Sequence, residues 1–261
     1  CIMWGDIAIA FMLAFITTFV LTPYTIKLAK KLGAVDTPKD ERRVNTTTMP
    51  RLGGLAIISG FVVSIVYLII ILSIEKNINL FEEDNYIKLI GFFAGGLIIS
   101  VICFIDDLKD LPPWVKLFAQ LASAVIVVAA GLKIENINIP FLYKVGLPDA
   151  FSIILTVGWI VGITNAINLI DGLDGLSSGI ALISCVSMLI IFALNGSSII
   201  SILLITALAG ALSGFLPFNF NPAKTFMGDV GSNFLGYCLA VISIFGVAKT
   251  YTLVVIVAPL I

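Results

Sequence analysis

Six of the eleven aspartates in a chain poor in charge stand out by their setting: Asp106, Asp107, Asp110, Asp171, Asp174 and Asp229. They fall in three short stretches, FIDDLKDL, NLIDGLDGLSSG and NPAKTFMGDVGSNFLG, each between long apolar runs. Asp106 and Asp107 are adjacent, and adjacent carboxylates repel, so one of them must be neutralised, hydrogen-bonded or bound to a cation. Taken alone, such a pair is also what a solvated helix end looks like. Asp171 and Asp174 are separated by the i, i+3 step that puts two side chains on one helical face, and Asn165 and Asn168 carry the same step upstream. Gly172, Gly175 and Gly179 would let another helix or a ligand approach closely. A packing seam explains those glycines but not the Asn/Asp ladder. Asp229 sits between Gly228 and Gly231, in a turn whose backbone N–H groups suit phosphate oxygens where it opens onto a helix. Ser232 is placed to cap that helix, and the aspartate can hold Mg2+ beside a phosphate. There is no histidine, so acid–base and metal work falls to carboxylates.

The elements that position these residues are membrane-length. Of the 261 residues 59% are hydrophobic and only 12% charged, against about 25% charged in an average soluble domain. That composition predicts an all-α polytopic membrane protein. Apolar runs close to bilayer-spanning length lie at Ile7–Leu28, Leu52–Ile74, Leu89–Ile105, Trp114–Leu132, Phe151–Asn168, Leu176–Leu194, Ser198–Phe218 and Asn233–Val247, and a ninth begins at Tyr251. Alternation then sorts the connections onto two sides, with 10 Lys and Arg on the side of residues 27–51, 106–116, 169–175 and 219–232, and 5 on the other. The excess places the first side in the cytoplasm. All six aspartates fall on it. The opposite connection LKIENINIPFLYKVGLP alternates polar and apolar residues around Pro140, which suits a small extracytoplasmic hairpin. Cys1, Cys103, Cys185 and Cys238 have no metal-ligand spacing and read as small core residues.

Three loops thus bring carboxylates to one membrane face. Together they predict a cytoplasm-facing Mg2+ site, with Mn2+ as the alternative ion, acting on a phosphorylated compound held beside lipid. Arg42, Arg43 and Arg51 of the first loop can hold phosphate through their guanidinium forks. A transporter is the rival from another class, but its acids should lie near the middle of apolar segments, not at their ends on one side. Nothing points to nucleic acid as a partner.

The stretches PRLGG, FIDDLKDL, NAINLIDGLDGLSSG and NPAKTFMGDVGSNFLG resemble the polyprenyl-phosphate N-acetylhexosamine-1-phosphate transferase superfamily, over nearly the whole chain. The loop VDTPKDERRV…MPRLGG is closer to the branch that transfers GlcNAc-1-phosphate than to the phospho-MurNAc-pentapeptide branch. The resemblance implies UDP-GlcNAc and undecaprenyl phosphate as substrates, UMP as a product, and a place in the bacterial cytoplasmic membrane at the start of cell-envelope polysaccharide or teichoic acid synthesis. It implies catalytic roles for Asp106 and Asp107 and metal binding by Asp229. Asn165, Asn168, Asp171 and Asp174 would line the nucleotide-sugar site, with Gly228 in the turn beside it. Asn219 and Phe226 would hold the uracil, and Lys116 and Arg51 would lie near phosphate. A homodimer is among the expected assemblies. Two departures matter. The family's first loop reads RRVHxKPxPRxGG, where this chain has Asn45 and Thr47 in place of the His and Lys, which motivates a third reading, a non-catalytic relative. Family members, with about ten or eleven segments, also continue into a cytoplasmic loop carrying PxFD and HxHH, so residues 1–261 read as one membrane transferase domain cut short before it.

Overall fold

The computed structural model describes residues 4–37, 48–74, 83–138 and 144–246. These form eight helices: α1 Trp4–Leu32, α2 Gly54–Ile74, α3 Glu83–Lys109, α4 Pro113–Ala129, α5 Asp149–Ile170, α6 Leu176–Leu194, α7 Ile199–Asn219 and α8 Gly228–Gly246. Seven are long and apolar enough to cross a membrane, and α4 is a shorter apolar helix. Helices satisfy their own backbone groups, which lipid requires, so each of the first eight apolar runs becomes one helix. The ninth, from Tyr251, lies outside the described residues. Two small antiparallel ribbons join the helices among the described residues, β1 Val35–Asp36 with β2 Met49–Pro50, and β3 Asn136–Asn138 with β4 Lys144–Gly146. The second is the expected hairpin, its tip outside the described residues.

α8 is the axis of the bundle. All of its residues from Val230 to Gly246 are buried, and it packs against α5, α3 and α2. α1 lies at the periphery, with Met12, Ile16, Phe19 and Val20 exposed as a lipid-facing row would be. Its other face meets α7 where a Cβ on Gly210 or Gly214 would strike the backbone carbonyl of Phe11 or Phe15. This is the small-xxx-small arrangement that lets helices in lipid approach closely.

Two boundaries differ from expectation and matter for the site. α8 begins at Gly228, not Asn233, so Asp229 is in its first turn. Ser232 does not cap the helix but lies within it, its Oγ donating to the Gly228 carbonyl at 3.1 Å. α5 ends at Ile170 and α6 starts at Leu176, so Asp171 and Asp174 occupy the intervening turn and not one helical face. The glycines are the reason: Gly175 sits at φ +70°, a conformation that ends a helix run.

Candidate active site

The ends of α3, α5 and α7 and the starts of α2, α4, α6 and α8 meet at one end of the bundle. Asp106 and Asp107 lie in the last turn of α3, only 4% and 1% exposed, so they are not a solvated helix end. They point to different partners. Asp106 Oδ2 is 2.9 Å from Lys116 Nζ, and its Oδ1 accepts the Leu111 N–H at 2.6 Å. Asp107 reaches across to α8, Oδ1 accepting the Asp229 N–H at 3.0 Å and Oδ2 the Val230 N–H at 2.9 Å. The turn between α3 and α4, with Asp110 at φ +47° and prolines at 112 and 113, folds α4 back so that Lys116 faces Asp106.

Asp229 completes the cluster. Lys116 Nζ donates to its Oδ2 at 3.3 Å and Asn168 Nδ2 to its Oδ1 at 2.7 Å. Asn168 Nδ2 also donates to Ser232 Oγ at 2.8 Å. One ammonium is therefore shared by the carboxylates of two helices, with an amide from a third holding one of them.

Beneath this layer Gln120, Asn165 and Asn233 join in an amide network. Asn165 Nδ2 donates to Gln120 Oε1 at 2.6 Å, and Gln120 Nε2 to Asn233 Oδ1 at 2.9 Å. Asn233 Nδ2 donates to the Asp229 carbonyl at 2.9 Å. Asn165 is thus engaged inside the bundle, one layer below Asp229. Gln120 and Asn233 were missed as site residues. Their signal was the i, i+4 step from Lys116 and from Asp229, which puts each on the same face as its charged neighbour.

The remaining candidates separate. Asp171 is half-buried. Burial, then the charges of Asp229 and Asp107, push its carboxyl up to about 7. Asp174 faces the α7–α8 connection, its Oδ2 accepting from Asn221 Nδ2 at 3.1 Å and the Ala223 N–H at 3.0 Å. Asn219 is 2% exposed, its Oδ1 accepting from Ser178 Oγ at 2.6 Å and its Nδ2 donating to the Thr225 carbonyl at 3.0 Å. Phe226 is half-buried and its backbone is tied to the segment after β2: its N–H donates to the Pro50 carbonyl at 2.8 Å, and its carbonyl accepts the Gly53 N–H at 3.0 Å. The Gly54 N–H donates to the Met227 carbonyl at 2.8 Å in the same way. Arg51, carried by that segment, donates from Nη2 to the Asp107 carbonyl at 3.1 Å and to Asp110 Oδ1 at 2.9 Å. Its Nε is buried with no hydrogen-bond partner among the described residues. Gly228 is at φ +73°, and a Cβ there would strike the Arg51 carbonyl. Arg42, Arg43, Asn45 and Thr47 lie outside the described residues.

Among the described residues no three His, Cys, Asp or Glu side chains converge as a ready metal cage. What the site offers is a carboxylate pair, Asp106 and Asp229, already sharing one cationic group. That fits Mg2+, which commonly takes one or two carboxylates and completes its shell with water and substrate phosphate.

Apolar helices that gather paired carboxylates, an ammonium and amides at one end define a polytopic membrane protein with a polar site where its helices end. Residues 89–247 match the model of Glycosyl transferase family 4, and the chain belongs to this family of transferases. It is 39% identical over 98% of its length to the probable undecaprenyl-phosphate N-acetylglucosaminyl 1-phosphate transferase of Bacillus subtilis (strain 168), covering 67% of that protein. It is 35% identical over 91% of its length to the decaprenyl-phosphate N-acetylglucosaminephosphotransferase of Mycobacterium tuberculosis, covering 60% of it. The phospho-N-acetylmuramoyl-pentapeptide-transferase of Staphylococcus saprophyticus is 34% identical over 89% of the chain, which covers 74% of that relative.

Proposed function

We propose that the protein transfers GlcNAc-1-phosphate from UDP-GlcNAc to undecaprenyl phosphate at the cytoplasmic face of the bacterial membrane, giving undecaprenyl-diphospho-GlcNAc and UMP and starting an envelope polymer. The observation that carries this reading is the Asp106–Lys116–Asp229–Asn168 cluster at the helix ends, in a chain 39% identical to a relative named for that reaction. An oxygen of the lipid phosphate attacks the β-phosphorus of UDP-GlcNAc. The bond from that phosphorus to the bridging oxygen breaks, and its electron pair leaves with UMP. The second pKa of a phosphate monoester is about 6, so the acceptor is mostly dianionic at neutral pH and needs little deprotonation. The aspartates then serve by positioning and electrostatics, not by removing a proton. Asp229 and Asp106 would hold Mg2+, which supplies charge stabilisation on the diphosphate. Lys116 adds a positive charge at the same point and Asn168 fixes the Asp229 carboxylate.

The test uses the full-length protein in vesicles containing undecaprenyl phosphate. UMP release from UDP-GlcNAc should require both the lipid and Mg2+, and Asp229→Asn should lower it by about 100-fold or more. Full turnover without a carboxylate at 229 would overturn the metal assignment. The second reading is the phospho-MurNAc-pentapeptide substrate, favoured by the likeness to the staphylococcal relative. UMP release from that donor and not from UDP-GlcNAc would select it. Solute flux across sealed vesicles without UMP release would point to a transporter.

A further inference from the structure

Asp107 is built into the fold in a way that Asp106 is not. It is 1% exposed, and each of its carboxylate oxygens accepts a backbone N–H from the first turn of α8, 3.0 Å from Asp229 and 2.9 Å from Val230. The first N–H groups of a helix have no partner within it, and the positive end of the helix favours a negative group. The residue before α8 is Met227, whose side chain cannot serve as a cap. The missing acceptor therefore comes from α3, 122 residues away. Gly228, at φ +73°, fits the same arrangement: a Cβ would come within 2.8 Å of Asp107 Oδ2 and strike the Arg51 carbonyl. Arg51 Nε, 3.9 Å from Oδ1, covers the carboxylate from the remaining side. Asp106, by contrast, shares the Lys116 ammonium with Asp229.

We infer that Asp107 is a positioning residue: it caps α8 from α3 and so sets the direction of the Asp229 carboxylate, leaving Asp106 as the aspartate of the pair that works beside it. This division of labour rests on the transferase reading above. Because the cap acts on where Asp229 points, its loss should appear as a weaker hold on the cation and not as loss of a proton acceptor.

Two variants of the full-length protein separate these roles. Asp107→Asn keeps the shape but places an NH2 group where one backbone N–H must dock. Val230→Pro removes the donor to Oδ2 without changing any carboxylate residue, and proline is tolerated in the first turn of a helix. Mn2+ binding is read by electron paramagnetic resonance without substrates. UMP release is read across a range of Mg2+ concentrations, and thermal unfolding identifies any variant that fails to fold. Both variants should weaken Mn2+ binding and raise the Mg2+ needed for half-maximal rate by about 10–100-fold, the usual effect of removing a group that orients a metal ligand. Saturating Mg2+ should restore most of the rate. If Asp107→Asn instead loses about 10²–10⁴ in rate at every Mg2+ concentration, with Mn2+ binding unchanged, the inference is overturned. It is equally overturned if Val230→Pro, which leaves the carboxylate more basic, binds Mn2+ and turns over like the parent. Should Asp107→Asn not fold, Val230→Pro alone decides. A parent protein that neither binds Mn2+ nor releases UMP overturns the transferase reading, and the inference with it.

Discussion

Among the described residues Lys116 is the one cation that touches both Asp106 and Asp229, so its removal has opposite effects on two measurements. Lys116→Met leaves two carboxylates facing each other without the ammonium that offsets their repulsion, a situation a divalent ion relieves. Mn2+ should then bind the substrate-free protein about tenfold more tightly, while UMP release falls for want of a charge on the substrate phosphate. Weaker Mn2+ binding would show that the ammonium supports the ion site and does not compete with it. Asp171 offers a pH test. Its carboxyl titrates at about 7 in the folded protein, above the ordinary value of about 4. The folded state thus holds this proton more firmly than the unfolded chain. The stability it contributes is complete below pH about 4 and is lost as pH rises through about 7. In metal-free protein Asp171→Asn should remove that loss, adding about 2 kcal/mol at pH 8 relative to the parent and little at pH 4; half of the full linkage value is taken because the side chain keeps some contact with solvent. Thermal unfolding at the two pH values measures it.

The functional end is assembled by contacts between elements. α2 and α8 cross where Gly54 meets Gly231, with a Cβ on Gly231 only 2.7 Å from Gly54 Cα. Gly231→Ala should push these helices apart at a destabilisation of roughly 1–3 kcal/mol and disturb Asp229 two residues away. Gly158→Ala, in α5 with nothing within 4 Å of the added methyl, should leave the melting temperature unchanged or raised, since alanine is the better helix former. Melting in detergent compares the two. The helices were legible because a bilayer demands long apolar runs, and Leu176–Leu194 was bounded to the residue. The start of α8 was not legible, since its cap is the tertiary Asp107 and no residue nearby in the chain. Nor was the pairing of residues 50–54 with 226–227, where backbone groups of two distant loops meet and the side chains carry no trace of it.

For the molecule as a whole, the charge bias predicts a topology that labelling measures directly. Native Cys103, Cys185 and Cys238 are buried, so once Cys1 is replaced by serine single exposed cysteines can report sidedness. Lys109→Cys should react with a membrane-impermeant maleimide only when the cytoplasmic face is accessible, and Glu135→Cys only from the outside. The reverse pattern would turn the charge-bias argument over. Composition and apolar periodicity alone determined that this is a helical membrane protein with six aspartates close to the ends of its apolar runs, because segments of that hydrophobic length cross a bilayer as helices. They could not say which carboxylates meet. Asp106 and Asp107 are neighbours in sequence, yet one turns to Lys116 and the other to the start of α8. Asp171 and Asp174 share a motif, yet Asp174 braces the α7–α8 connection. Only packing decides this, since successive residues in a helix point about 100° apart and each finds its partner on whichever element the bundle places there.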